Sequence, residues 1–251
     1  MNAIGRAGAR PGNTSLIRTL GWPEDLYWAI RNRLIDRGLL EKGKGKGGSV
    51  RLVTEEQPIT TVNPATGQPV ELPREPENTL YEPMLAVIRD AWVKEQGYRE
   101  SITEITAKSG RMDTGGKWTR PDITVAGIRI FPFVPGKHFD IVTFEIKQAD
   151  SLDVTVVYEA LSHRRSAMKS YVLLHVPDEV KTLVEKSLGI IFDEAKRHGI
   201  GLIVAADPNN YSTWDPWLDA ERYEPDPENL NTFIARQLSQ GSQQEIIAWF
   251  R

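Results

Sequence analysis

Five prolines fall within residues 54–79, TEEQPITTVNPATGQPVELPREPENT, and they divide the chain. Proline removes a backbone donor and fixes φ, so neither a helix nor a central strand runs through such a segment. The spacing predicts a linker or extended strap over residues 54–78, between one module at 1–53 and a larger one at 79–251. Charge divides at the same seam. Residues 1–53 carry ten Lys/Arg against four Asp/Glu, a charge of +6, and the remainder carries 21 against 30, a charge of −9. The basic module is therefore the candidate for phosphate contacts. Cysteine is absent, which excludes a disulfide scaffold and thiolate metal sites. No apolar run is long enough to span a bilayer and no secretory h-region opens the chain, so no membrane partner is expected and the cytoplasm is the default compartment.

In the basic module, NTSLIRTLGW offers an N-cap at Asn13 or Thr14, places Leu16, Ile17 and Leu20 at helical spacing, and stops at Gly21. PEDLYWAIRNRLIDRGLL opens a second helix with Pro23 in its first turn and Glu24 and Asp25 beside the positive helix end. Leu26, Ile30, Leu34 and Ile35 make its apolar stripe, and Gly38 ends it. LLEKGKGKGGSVRLV then reads as strand, glycine-rich loop, strand. This order resembles a winged helix-turn-helix domain, with Lys42–Gly48 as the wing tip. The resemblance implies DNA binding, with Tyr27, Arg31 and Arg33 on or near the recognition helix. Lys42, Lys44 and Lys46 would meet backbone phosphate, contacts that supply affinity and salt dependence rather than sequence choice. One departure stands out: such domains ordinarily carry a further helix before this pair, where this chain has the short, glycine-bearing MNAIGRAGARP. The alternative is a solvated hairpin on a small packing or protein-interaction module.

The larger module reads as helix (79–97), three strands (within 99–108, 118–131 and 139–147), helix (152–170), strand (171–176), helix (184–199) and strand (200–207). The second strand is expected to break near Gly127, and two helices, about 227–239 and 242–250, close the chain. That succession predicts an α/β fold with a mixed central sheet. The aromatic-rich stretch YSTWDPWLDAERYEPDPENL is expected to cover the core or an interface.

Within TFEIKQAD, residues 143–150, Phe144 and Ile146 point one way with Val142, while Glu145 and Lys147 share the other face, about 6.6 Å apart along a strand. An exposed pair of this kind is worth under about 1 kcal/mol. What gives it meaning is RPD at 120–122 on the preceding strand. Pro-Asp, an interval, then Glu-X-Lys, in strands of this order with a helix following, resembles the PD-(D/E)XK or restriction-endonuclease-like nuclease superfamily. The resemblance covers residues 79–176, and YEALSHRR on the following helix is similar to the segment after Glu-X-Lys in many of these nucleases.

The resemblance implies a restriction-endonuclease-like core in which Asp122, Glu145 and Lys147 are catalytic. Asp122 and Glu145 would hold Mg²⁺, with Mn²⁺ as a substitute, together with the backbone carbonyl of Ile146. The chemistry agrees: phosphodiester hydrolysis needs a cation to offset phosphate charge and acidify water, and hard divalent ions take oxygen ligands. Lys147 would orient or deprotonate the water and stabilise developing charge. Glu82, near the start of the first helix, is a further candidate ligand, against a simple favourable carboxylate at a helix N-terminus. Gln148, after the motif lysine, would touch the water or substrate or be structural; Arg120 is expected to contact phosphate, and His163, Arg164 and Arg165 either do so or form a solvated basic helix face.

Taken with the basic module, the resemblance implies a Mg²⁺-dependent endonuclease brought to double-stranded DNA by a winged helix. It further implies a homodimer, so that both strands are cut, and a bacterial restriction or phage-defence role. Two alternatives stay open: a DNA-binding regulator or adaptor with a catalytically silent nuclease-like domain, and a nuclease acting on RNA or single strands. Other chemistries lack their patterns. His138, His163, His175 and His198 have no zinc-type spacing, and GKGKGG is not a phosphate loop of the G-x-x-x-x-G-K-[ST] type.

Overall fold

Alternation along residues 142–147 sets the plan of the fold, because one face of that strand must be covered by a helix and the other must accommodate charge. The computed structural model describes residues 13–20, 24–36, 40–42, 49–52, 61–62, 69–70, 76–107 and 120–251. The chain separates into two units, Met1–Pro58 and Ile59–Arg251.

In the first unit, helices α1 (Asn13–Leu20) and α2 (Glu24–Asp36) are followed by strands β1 (Leu40–Lys42) and β2 (Val50–Leu52). The strands pair antiparallel, with Leu40 opposite Leu52 and Lys42 opposite Val50. Leu16, Tyr27 and Val50 form its small core. The Tyr27 hydroxyl donates to Asn13 Oδ1 at 2.7 Å with both side chains buried, which satisfies two polar groups inside that core.

The second unit begins with a short hairpin, β3 (Thr61–Val62) against β4 (Pro69–Val70). The proline segment is therefore not wholly an unpaired strap. Pro69 is tolerated there because a two-stranded hairpin has only edges. A 3₁₀ turn, Glu77–Thr79, leads into α3 (Tyr81–Val87), which continues through a π-helical turn, Ile88–Trp92, and a last turn, Val93–Glu95. Then come β5 (Glu100–Ile105), β6 (Ile123–Phe131), β7 (Val134–Gln148), α4 (Thr155–His163), β8 (Lys169–His175), α5 (Asp178–Lys181), α6 (Glu185–His198), β9 (Gly201–Ala205), β10 (Trp214–Leu218), α7 (Pro227–Gln237) and α8 (Gln240–Trp249).

Six strands form one mixed sheet in the order β10-β9-β8-β7-β6-β5. The β5–β6 and β6–β7 pairs are antiparallel, β7, β8 and β9 run parallel, and β10 is antiparallel at the edge. Helices cover both faces, the arrangement that lets buried strands such as YVLLH and GLIVA be apolar throughout. On one face Met84, Ile88 and Trp92 pack on Ile123, Val125, Phe144, Ile146 and Tyr171. On the other, Val156, Val157 and Ala160 of α4 and Leu188 and Ile191 of α6 pack on Val172, Leu174, Leu202 and Val204. The closing helices seal the β5–β7 side through Phe233, Leu238, Ile246 and Trp249 against Ala126, Ile128 and Ile141.

Three expectations are corrected. β6 runs unbroken through Gly127, where a Cβ would lie 2.6 Å from Tyr98 Cδ1; the glycine admits an aromatic ring rather than ending the strand. The helix after Glu-X-Lys ends at His163, not near Ser170, because Lys169 and Ser170 pair with Val142 and Thr143 and so belong to β8. WDPW is a strand, with Pro216 carried on the sheet edge.

Candidate active site

The register of β6 and β7 pairs Ile123 with Phe144. One step further, directly before β6, Asp122 comes opposite Glu145 and interacts with it electrostatically. The Asp122 N–H donates to the Phe144 carbonyl at 3.0 Å, and Asp122 Oδ2 accepts the Ile146 N–H at 2.8 Å. A strand residue directs its N–H and C=O to the same neighbour, so the Ile146 carbonyl also faces the Asp122 side, just past the start of β6. Lys147, two residues beyond Glu145, brings its Nζ to 3.3 Å from Glu145 Oε1, 3.2 Å from Glu77 Oε2 and 3.5 Å from Glu159 Oε2. Sequence spacing thus anticipated Asp122, Glu145 and Lys147 in one place, and the structure brings them together.

Four carboxylates, Glu77, Asp122, Glu145 and Glu159, surround that one ammonium. The imbalance is visible in protonation. Burial, then the charges of Asp122 and Glu159, push the Glu145 carboxyl up to about 10, against the opposing pull of Lys147. Burial also raises Asp122, to about 6, although the Ile146 N–H, the Tyr81 hydroxyl and Lys147 favour its charged form. For Lys147, burial lowers the pKa, but Glu145, Glu77, Glu159 and Asp122 together outweigh it and hold the group as an ammonium. Tyr81 hydrogen-bonds to Asp122 and donates to Glu77 Oε1 at 3.2 Å, and burial and these acids raise its own pKa. His163, on α4, has its Nε2 3.9 Å from Glu145 Oε2, and burial lowers it to about 3, so it is neutral.

Glu77, Tyr81 and Glu159 were not singled out in the sequence. Glu77 lies among the prolines of the segment read as a linker. Glu159 sits four residues before His163 on α4, a spacing that places both on one helix face and was the one available signal. Glu82 does not take the place expected of it: it is exposed, since Tyr81 is the residue of that turn directed inward, and Glu77 is the acid that reaches Lys147.

Asp122 and Glu145, with the Ile146 carbonyl, could hold a hard cation: the donors are all oxygen and lack compensating positive charge. Among the described residues no three His, Cys, Asp or Glu side chains are grouped as a metal cage. Of the neighbouring residues, Gln148 is buried and Arg120 half-buried. Arg164 donates to the His198 carbonyl at 2.5 Å and lies over the Tyr223 ring, so it closes α6 rather than facing the carboxylates.

In the first unit, Tyr27 does not lie on a nucleic-acid face: it is core, for the packing reason given above. Arg31 is half-buried, with its guanidinium 5.2 Å from the Trp28 ring centroid and hydrogen-bonded to Asn32. The side chains of Arg33 and Lys42, and the whole of Lys44 and Lys46, lie outside the described residues. Among the described residues no helix is long and apolar enough to cross a membrane.

No protein-family model and no curated protein matches this chain. A solved structure of a protein of unknown function from Silicibacter pomeroyi is similar over 69% of this chain and 90% of its own, with 13% sequence identity and a TM-score of 0.39. That likeness carries no functional argument.

Proposed function

We propose that the chain is a metal-dependent endonuclease of the PD-(D/E)XK type, acting on double-stranded DNA as a homodimer and targeted by its basic N-terminal unit as a winged helix. The observation that carries this reading is the apposition of Asp122 and Glu145 across β6 and β7 with Lys147 on the same face. A structural ion pair would need one acid; here four surround one lysine, and Glu145 retains a proton for want of positive charge. Asp122, Glu145 and the Ile146 carbonyl would hold Mg²⁺ or Mn²⁺, which supplies charge neutralisation at the phosphate and a more acidic water. A site of two carboxylates and a carbonyl, with no closed cage, is the open kind that Mg²⁺ shares with water and substrate phosphate.

The protein groups divide the remaining work. Lys147, held as an ammonium, donates to the attacking water or to the phosphate oxygen on which charge grows, and so orients rather than deprotonates. Tyr81 and the Ile146 N–H fix the Asp122 carboxylate from two directions. Buried His163 stands 3.9 Å from Glu145 on its inner side. In the hydrolysis, the water oxygen forms the new bond to phosphorus, one ester P–O bond breaks, and the leaving oxygen takes a proton.

Cleavage of supercoiled plasmid with Mg²⁺ or Mn²⁺ tests this directly. Glu145→Gln and Lys147→Ala should each lower the rate by about 100-fold or more while DNA binding is retained. Binding without cleavage by the wild type, across duplex, single-stranded and RNA substrates, would replace the nuclease with a DNA-binding regulator.

A further inference from the structure

Behind the carboxylate cluster, where the end of α4 meets α7, lies a cavity of about 240 Å³ that the chemistry above leaves unused. The volume suits one small ligand or one residue of a polymer. Its floor contains His163 and Gln237, which are 5% and 4% exposed. Among the described residues, neither ring nitrogen of His163 has a hydrogen-bond partner, and neither does the Gln237 side-chain oxygen. Leaving a buried polar atom unmatched costs about 1–3 kcal/mol, so two such side chains facing one cavity can be matched there by a hydrogen-bonding ligand in place of water. Phe233 supplies an apolar wall, and Asn229, Arg165 and Arg236 stand exposed at the mouth.

The donor–acceptor pattern selects the ligand. Gln237 Oε1 can only accept, and the His163 ring presents two nitrogens of which at least one donates. A bare anion has no hydrogen to give Gln237. A nucleobase edge presents amino or imide N–H groups beside ring nitrogens and carbonyls, which matches both floor residues and lies flat against Phe233. Two guanidiniums at the opening match the phosphate attached to such a base.

We propose that this cavity binds a nucleotide, its base seated on His163 and Gln237 and its phosphate between Arg165 and Arg236. His163 faces both the cavity and Glu145, at 3.9 Å, so a nucleotide held here lies beside the carboxylates. The proposal deepens the nuclease reading and rests on it for one point only, that the nucleotide belongs to the strand being cut rather than to a free mononucleotide.

The test uses the full chain without added metal. Binding of dAMP, dCMP, dGMP and TMP is measured by titration calorimetry for wild type, Gln237→Leu and Arg236→Ala, followed by competition with a 20-nucleotide single-stranded DNA. At least one mononucleotide should bind, and each substitution should weaken it tenfold or more. Gln237→Leu should at the same time leave the melting temperature unchanged or raised, because it removes an unsatisfied buried acceptor; a purely structural glutamine would melt lower. Displacement of the mononucleotide by the oligonucleotide identifies a strand residue as the occupant, and no displacement identifies a free nucleotide. Absence of mononucleotide binding, or binding indifferent to both substitutions, overturns the site even if plasmid cleavage is intact. Cleavage that fails while Gln237-dependent binding persists overturns the nuclease reading alone.

Discussion

Two buried acids on β7, five positions apart, are treated in opposite ways. Asp140 is fully buried and amply matched: Arg129 donates to its Oδ2 from Nη2 at 2.6 Å and Nε at 3.0 Å, Arg222 Nε reaches Oδ1 at 3.2 Å, and the Tyr98 hydroxyl adds a contact at 3.3 Å. Glu145 shares one lysine with three other carboxylates. The first arrangement ties β6, β7 and the segment before α7 together. The second holds negative charge that the fold itself does not neutralise. A buried carboxylate with surplus donors is a fastener, and one with a deficit of positive charge is a place for something cationic to come.

The largest expected effect follows from that contrast. Asp140→Asn strips the partner from the 18%-exposed Arg129 and from Arg222, and should cost about 3 kcal/mol in urea denaturation at pH 7. Glu145→Gln, replacing a carboxyl that is protonated in the folded chain but ionised in the unfolded chain at that pH, should not destabilise and should instead stabilise, by up to about 3 kcal/mol. Equal losses in the two variants would erase the distinction.

Next in size is the pH dependence. Glu145 and Asp122 have folded pKa values raised, to about 10 and about 6, above their ordinary 4.5 and 3.8. A raised pKa means the native state binds protons more tightly than the unfolded chain. The resulting stability is complete below the ordinary values, is lost for Asp122 as pH climbs through 6, and is lost for Glu145 as pH climbs towards 10. Stability should therefore fall with pH by up to about 1.4 kcal/mol per unit per group. Glu145→Gln should flatten the fall above pH 6, whereas a conservative change in the Asp140 network should leave the slope intact. If a divalent cation takes the protons' place, Mg²⁺ at ten times its Kd should raise the melting temperature by about 3–5 °C at pH 8 and by less at pH 5.

How far the two clusters were legible in the sequence differs for a physical reason. Glu145 and Lys147 lie at alternate positions of one strand, so period-2 spacing alone puts them together, and the antiparallel step from β6 to β7 supplies Asp122, which directly precedes β6. The central strands and the helix after the motif were legible for the same reason, that apolar periodicity survives burial. Asp140 and Arg222 are 82 positions apart with no periodic relation, and only the folded chain joins them. Tyr27 misled because a tyrosine on a short helix reads equally as surface or core until Asn13 is seen to satisfy its hydroxyl. β10 was missed because a proline in WDPW argues against a strand unless the strand is known to be an edge.

The smallest effect separates the acid expected from the helix start from the acid that the fold delivers. Glu82 is exposed, and Glu82→Ala should move neither stability, within about 0.5 kcal/mol, nor plasmid cleavage. Glu77 touches Lys147 at 3.2 Å while its side chain remains 31% exposed, so solvent screens much of the pair and its worth is about 0.5–1 kcal/mol. Glu77→Gln should accordingly change the cleavage rate about two- to fivefold, by loosening the lysine rather than removing it. A larger loss in Glu82→Ala than in Glu77→Gln would mean that the helix start rotates when substrate and cation bind, and that the acid named by family resemblance, not the one nearest the lysine, completes the site.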